Sequence, residues 1–291
     1  MEEKKNSNCL VSLRKGGSQA FISLENGGSL TRLFLKQKEI IKDFSAKHPY
    51  VNSFASAILF PFANRVFKGE YMYKKEKYTL KTNHEINAIH GLIYDKKFVV
   101  DERYNNVKSQ SVRLKYINEE RIKGFPFRYS VMLTYILYDG SISLEVEVKN
   151  IDEKPFPFTI GWHPYFYTYN KVDTMLTFKG ENEVIHNDYM IPIEFKKIDK
   201  VQNFSIGSQK LDNCYALQNG ETSLITPEYA IDIKSSHDNN YIQVYTPDLD
   251  NYIAVEPLTG IADSFNNKVG LQELNPEEIF TIKWTIELQD A

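Results

Sequence analysis

The chain has 291 residues, with 35 Lys and Arg against 38 Asp and Glu, and a net charge of -3, which excludes the basic footprint of a nucleic-acid binder. Hydrophobic residues make up 42% and charged residues 25%, enough for a sizeable core, yet no stretch approaches the ~20 apolar residues of a membrane helix. Cys9 and Cys214 are too few for a disulfide framework and lack metal-knuckle spacing, and the charged start leads into no apolar leader; the expectation is a soluble cytoplasmic protein without membrane or nucleic-acid partners.

The 19 Tyr and 18 Phe favour strands and the space between packed sheets. In chain order, Ala20–Leu24 is predicted as a strand, Glu25-Asn26-Gly27-Gly28 as a turn, and Ser29–Leu35 as the returning strand. Lys47-His48-Pro49 breaks that pattern, and His48 is expected in a loop. Ile142, Leu144, Val146 and Val148 alternate with polar residues, which predicts a half-buried strand whose hairpin partner is Val131–Tyr138, across Asp139-Gly140. Thr174–Phe178, Ala230–Lys234, Tyr241–Tyr245 and Phe280–Leu288 read as further short strands. No amphipathic helix of ordinary length, internal repeat or linker stands out. The prediction is one all-β domain over residues 1–291, a large β-sandwich with few or no helices.

Several polar islands interrupt this apolar background. Phe60-Pro61-Phe62-Ala63-Asn64-Arg65 ends an apolar run in a charge, and an arginine there must be paired, functional, or routed to the surface. Ile89-His90-Gly91 sets a glycine beside a histidine, a sign of special backbone; His84 lies in plainly polar surroundings and is discounted. In Gly161-Trp162-His163-Pro164-Tyr165-Phe166, Pro164 bars the helical region to His163 and so holds it extended. Its imidazole suits either a core hydrogen bond or proton transfer near neutral pH. Asp212 reads as a turn carboxylate or a ligand group. Glu256, before Pro257 at a strand end, is costly to bury unless it has a partner or a task.

Taken together and in this order, these stretches resemble the aldose 1-epimerase (mutarotase) family over most of the chain. The resemblance implies a β-supersandwich with an open sugar-binding cleft. It implies Glu256 as general base, His163 as general acid, and Arg65, His90, Asp212 and Asn64 as the residues that hold the sugar. Tyr165 and Trp162 become candidates for the cleft wall. Two departures bear on substrate identity: Leu258 stands where the family carries glutamine, and Ala262 where it carries proline.

The implied chemistry is interconversion of the α and β anomers of a hexose such as galactose or glucose. A base takes the O1 proton, an acid protonates the ring oxygen, and the opened chain rotates and recloses. Neither metal nor cofactor is required. Proximity to Glu256 is expected to keep His163 protonated before turnover. Rival readings are a non-catalytic carbohydrate-binding protein, an epimerase of a phosphorylated hexose, and a metal hydrolase using His90, His163 and Glu256. The last lacks any local His-x-His or His-Glu-x-x-His spacing.

Overall fold

The computed structural model describes residues 9–43, 45, 48–238, 240–249 and 251–289. Wherever the sequence alternates, strand follows. Tyr129–Tyr138 and Ser141–Asn150 form the expected hairpin, with Leu137 opposite Ile142 and Gly140 at φ 99° in its turn. Ile142, Leu144, Val146 and Val148 point into the core. Ile279–Leu288 pairs along the other side of Ser141–Asn150, setting Ile286, Trp284 and Ile282 directly across from Ile142, Leu144 and Val146. Cross-strand apolar pairs of this kind are the unit of sheet stabilisation.

The large sheet has 15 strands, and every pairing between named strands is antiparallel. Its centre runs in the order Ile279–Leu288, Ala230–Ser235, Asp212–Ile225, Tyr241–Tyr245, Tyr252–Leu258, Gly161–Trp162 and Ile58–Leu59. Tyr165–Tyr167 also pairs with Tyr252–Leu258, and Met175–His186 with Asp212–Ile225. A separate four-stranded sheet is built from Leu10–Lys15, Ser18–Ser23, Leu30–Leu35 and Lys38–Ile41, with Gly27 and Gly28 at positive φ in the predicted turn. The main apolar cluster draws on residues from Val11 to Ile286, with Phe60, Phe125, Phe156 and Phe158 among its buried rings.

Among the described residues the α-helices are two four-residue turns, Tyr50–Ser53 and Ser264–Asn267, which agrees with the all-β expectation. None is long and apolar enough to cross a membrane. Cys9 and Cys214 are both free.

Candidate active site

Strand register assembles one wall of the site. Gly161 lies opposite Leu258 and Tyr165 opposite Ala254, so the intervening His163 falls opposite Glu256. Glu256 in turn faces Gln243, and Gln243 faces Cys214. Two residues along the same strands, Tyr165, Ala254, Tyr245 and Asp212 make a parallel row. Because side chains two residues apart share a face of a sheet, both rows look the same way. The intervening Trp162, Phe166, Val244 and Val255 go to the core.

The opposite wall comes from two short segments with unusual backbone. Asn64 and His90 both sit in the left-handed region, at φ 56° and 64°. The His90 N–H donates to the Asn64 carbonyl at 2.9 Å, while Arg65 pairs with Ile89. Gly91, at φ 79°, lies so close to the Phe60 carbonyl that a methyl group there would overlap it. Left-handed non-glycine residues cost about 1–3 kcal/mol and persist only where surrounding structure imposes them. The Asp263 N–H donates to the Arg65 carbonyl at 2.5 Å, and its carboxylate accepts the Phe67 N–H at 2.9 Å. The turn following the Glu256 strand thereby clamps the Arg65 segment.

Between the walls is a cavity of about 280 Å³ lined by Glu256, His163, Arg65, His90, Asp212 and Asn64, all six residues singled out in the sequence. His163 Nε2 lies 3.4 Å from Glu256 Oε1, and both side chains are almost fully buried. The His90 and His163 rings meet edge-on at 4.9 Å, and Tyr165 stacks on His163 at 4.9 Å. Arg65 donates to Asn64 Oδ1 at 3.0 Å and stands 3.8 Å from Asp212. Glu256 Oε2 and His90 Nδ1 are buried with no hydrogen-bond partner among the described residues. Such orphaned groups are uncommon in native interiors and mark a place built to receive hydrogen bonds.

Burial governs the protonation of this pair. It pushes the Glu256 carboxyl well above the usual carboxylate range, an effect enlarged by the Asp212 charge and opposed by Arg65. Burial likewise pulls His163 down to about 3, and His90 far below an ordinary histidine. The expectation that Glu256 keeps His163 protonated at rest is therefore corrected. Desolvation disfavours the charged form of each group, so burial opposes a resting imidazolium at His163.

Three further corrections concern the cleft wall. Trp162 is not part of it: strand alternation sends its ring to the core, stacked 6.3 Å from Trp284, whereas Tyr165 does line the cavity. His84, discounted for its polar neighbours, stands at the rim. Gln243, Tyr245 and Phe54 line the site and were missed. Gln243 is legible in retrospect as the one polar residue of Tyr241-Ile242-Gln243-Val244-Tyr245, a buried polar group that requires partners. Finally, His90, His163 and Glu256 present ligand atoms within 4.8 Å of one another, a grouping able to hold a metal ion that local sequence spacing does not reveal.

Comparison with known proteins agrees with this architecture. The family model described as aldose 1-epimerase matches residues 10–287. The uncharacterized protein YihR of Escherichia coli (strain K12) is 27% identical over 228 residues, 74% of this chain and 72% of that protein. Galactose mutarotase of Sus scrofa is 25% identical over 128 residues, 43% of this chain and 34% of that protein. A putative aldose 1-epimerase from Escherichia coli K12 superposes with a TM-score of 0.84 at 19% identity, covering 97% of this chain and 99% of the other. Galactose 1-epimerase from Lactobacillus acidophilus NCFM gives 0.81 at 17% identity, covering 99% and 97%. With its fold and nearly its whole length accounted for, this chain belongs to the aldose 1-epimerase family.

Proposed function

We propose that the protein is a mutarotase that interconverts the α and β anomers of an unphosphorylated hexose such as galactose or glucose, with Glu256 and His163 as its proton-transfer pair. The observation that carries this reading is the 3.4 Å contact between two almost fully buried groups of opposite acid–base character at the base of a polar cavity. Sugar hydroxyls donating to Glu256, together with the Arg65 charge, favour the carboxylate and move the shared proton to His163. Glu256 then takes the O1 proton as His163 delivers its own to O5. The C1–O5 bond breaks and leaves an open-chain aldehyde.

Rotation about C1–C2 by about half a turn presents the other carbonyl face. O5 attacks C1 and returns its proton to His163, and Glu256 returns a proton to O1. Atoms and charge balance, and each positioned group contributes about 10²–10⁴-fold. His90, Asn64, Arg65 and Asp212 hold the hydroxyls through charge-assisted and buried hydrogen bonds.

A phosphorylated hexose is the less favoured substrate, because Arg65 is the sole lysine or arginine among the described lining residues and it already faces Asp212. A non-catalytic sugar-binding role would also satisfy Glu256 Oε2, but it gives no task to the contact of that carboxyl with a second buried titratable group, His163, at 3.4 Å. The test is polarimetry of freshly dissolved α-D-galactose and α-D-glucose with protein dialysed exhaustively against EDTA. Acceleration by the dialysed protein is expected. A rate lost on dialysis and restored by zinc or manganese would assign His90, His163 and Glu256 to a metal instead, and no acceleration under either condition would refute the mutarotase reading.

A further inference from the structure

We propose that Tyr165 is a positioning residue for the proton-transfer step: the face of its ring supports the positive charge that His163 carries as it protonates the ring oxygen of the sugar. The inference rests on the mutarotase reading above and gives Tyr165 a task beyond lining the cavity.

The geometry of the extended chain brings the two rings together. His163 and Tyr165 stand two residues apart across Pro164 and so share a face. Side chains at that spacing leave the backbone about 6.6 Å apart. Here the ring centroids close to 4.9 Å, with only 7° between the ring planes. Both partners are pinned. The His163 N–H donates to the Ala57 carbonyl at 3.0 Å, and its own carbonyl accepts the Ser56 N–H at 2.8 Å. Tyr165 lies opposite Ala254, a small residue that leaves room for the ring, and Tyr245 meets it edge-on at 6.5 Å.

Orientation decides the electrostatics. An aromatic ring is negative on its faces and positive at its edge, so a parallel tyrosine offers electron density to a charged imidazole, where an edge-on one would repel it. The 4.9 Å separation is within the reach of such a cation–π contact. Burial, reinforced by the Glu256 charge, pushes the Tyr165 phenol well above the ordinary tyrosine range, so the ring remains a neutral face.

The support matters at the moment when Glu256 can no longer give it. Burial opposes an imidazolium at His163, and the carboxylate 3.4 Å away offsets this only while it is ionised. In ring opening Glu256 takes the O1 proton as His163 delivers its own to O5. The carboxylate charge therefore fades while the imidazole is still partly positive. The electron density on the Tyr165 face does not change during the step.

The experiment places phenylalanine and its mono-, di- and trifluorinated forms at position 165 and measures kcat/KM for galactose and glucose by polarimetry. The rings are nearly equal in shape, while each fluorine drains the face of electron density. Because kcat/KM compares the free enzyme with the transition state, it reads support for charge that appears only during the reaction. Tyr165→Phe keeps the face and should retain most of the rate that Tyr165→Leu loses. Along the fluorinated series log(kcat/KM) should fall stepwise, by about tenfold in all, with melting temperatures unchanged. A flat or rising series in folded variants overturns the role of Tyr165, because a ring that only fills space would not respond to fluorine. A loss in Tyr165→Phe as large as in Tyr165→Leu overturns it too, by assigning the effect to the phenol. A wild type inert toward both sugars refutes the mutarotase reading and this inference with it, whereas an active wild type with a flat series removes only the latter.

Discussion

Gln243 donates to Asp212 at 2.5 Å while its carbonyl oxygen accepts from Asn64 at 3.3 Å, so one buried amide orients a residue on each wall of the cleft. Arg65 closes the circuit by bonding Asn64 and facing Asp212. The four side chains form a connected polar network in which each member limits the freedom of the others.

The network predicts how binding and rate divide. Gln243→Leu should free both Asn64 and Asp212, and Arg65→Ala and Asp212→Ala should each leave a buried partner unpaired, a loss of about 1–3 kcal/mol. All three variants should raise KM for the sugar, with smaller effects on kcat. Steady-state polarimetry checks this, and unaltered KM in all three would remove the network from the binding site.

Glu256→Gln retains shape and hydrogen-bonding reach but cannot shuttle a proton. It should fold, bind sugar and lose at least ~10²-fold in rate, the usual scale for a positioned general base. His163→Asn should behave alike. The double variant should be no slower than the worse single variant, since either loss breaks the same relay. Near-wild-type turnover by Glu256→Gln would leave the protein as a sugar binder.

The productive pair carries one proton, so the rate should follow a broad plateau in pH. A second proton must enter His163, whose affinity burial has depressed to about 3. The shared proton must leave Glu256, whose carboxyl burial has raised. The acid limb should therefore fall far below the ordinary histidine value of about 6.5, and the limbs belong to the pair jointly. An acid limb centred at that ordinary value in the kcat/KM profile would contradict this account.

Stability should carry the same signature. Glu256 has a folded-state pKa above its unfolded value of 4.5. Its contribution to stability is fully present below that value and is lost as pH rises toward the folded pKa, because the unfolded chain ionises first. Glu256→Gln removes this titration. Its melting temperature should match the wild type near pH 4 and exceed it progressively toward pH 8. Parallel melting curves across that range would show that Glu256 ionises normally in the folded state.

Much of the fold was legible in local pattern. The alternation at Ile142–Val148 and the Asp139-Gly140 turn specify a hairpin because side-chain period and turn chemistry act over a few residues. Pro164 and Pro257, each following a site residue, made His163 and Glu256 conspicuous for the same local reason. Alternation alone separates Trp162 from His163, since neighbouring residues of a strand face opposite ways, and it sends the indole to the core.

What the sequence by itself determined was the family, the strand-rich architecture and the identity of six lining residues, since each is written in contiguous residues. Only the tertiary structure decided that His163, Glu256, Gln243 and Cys214 share one row, because antiparallel register adds positions far apart in the chain, and that Gln243 joins the two walls. It alone set how strongly each member of the pair is driven toward its neutral form. Desolvation depends on how deeply a group lies beneath the rest of the molecule, and at Glu256 and His163 that depth disfavours the charged form of both.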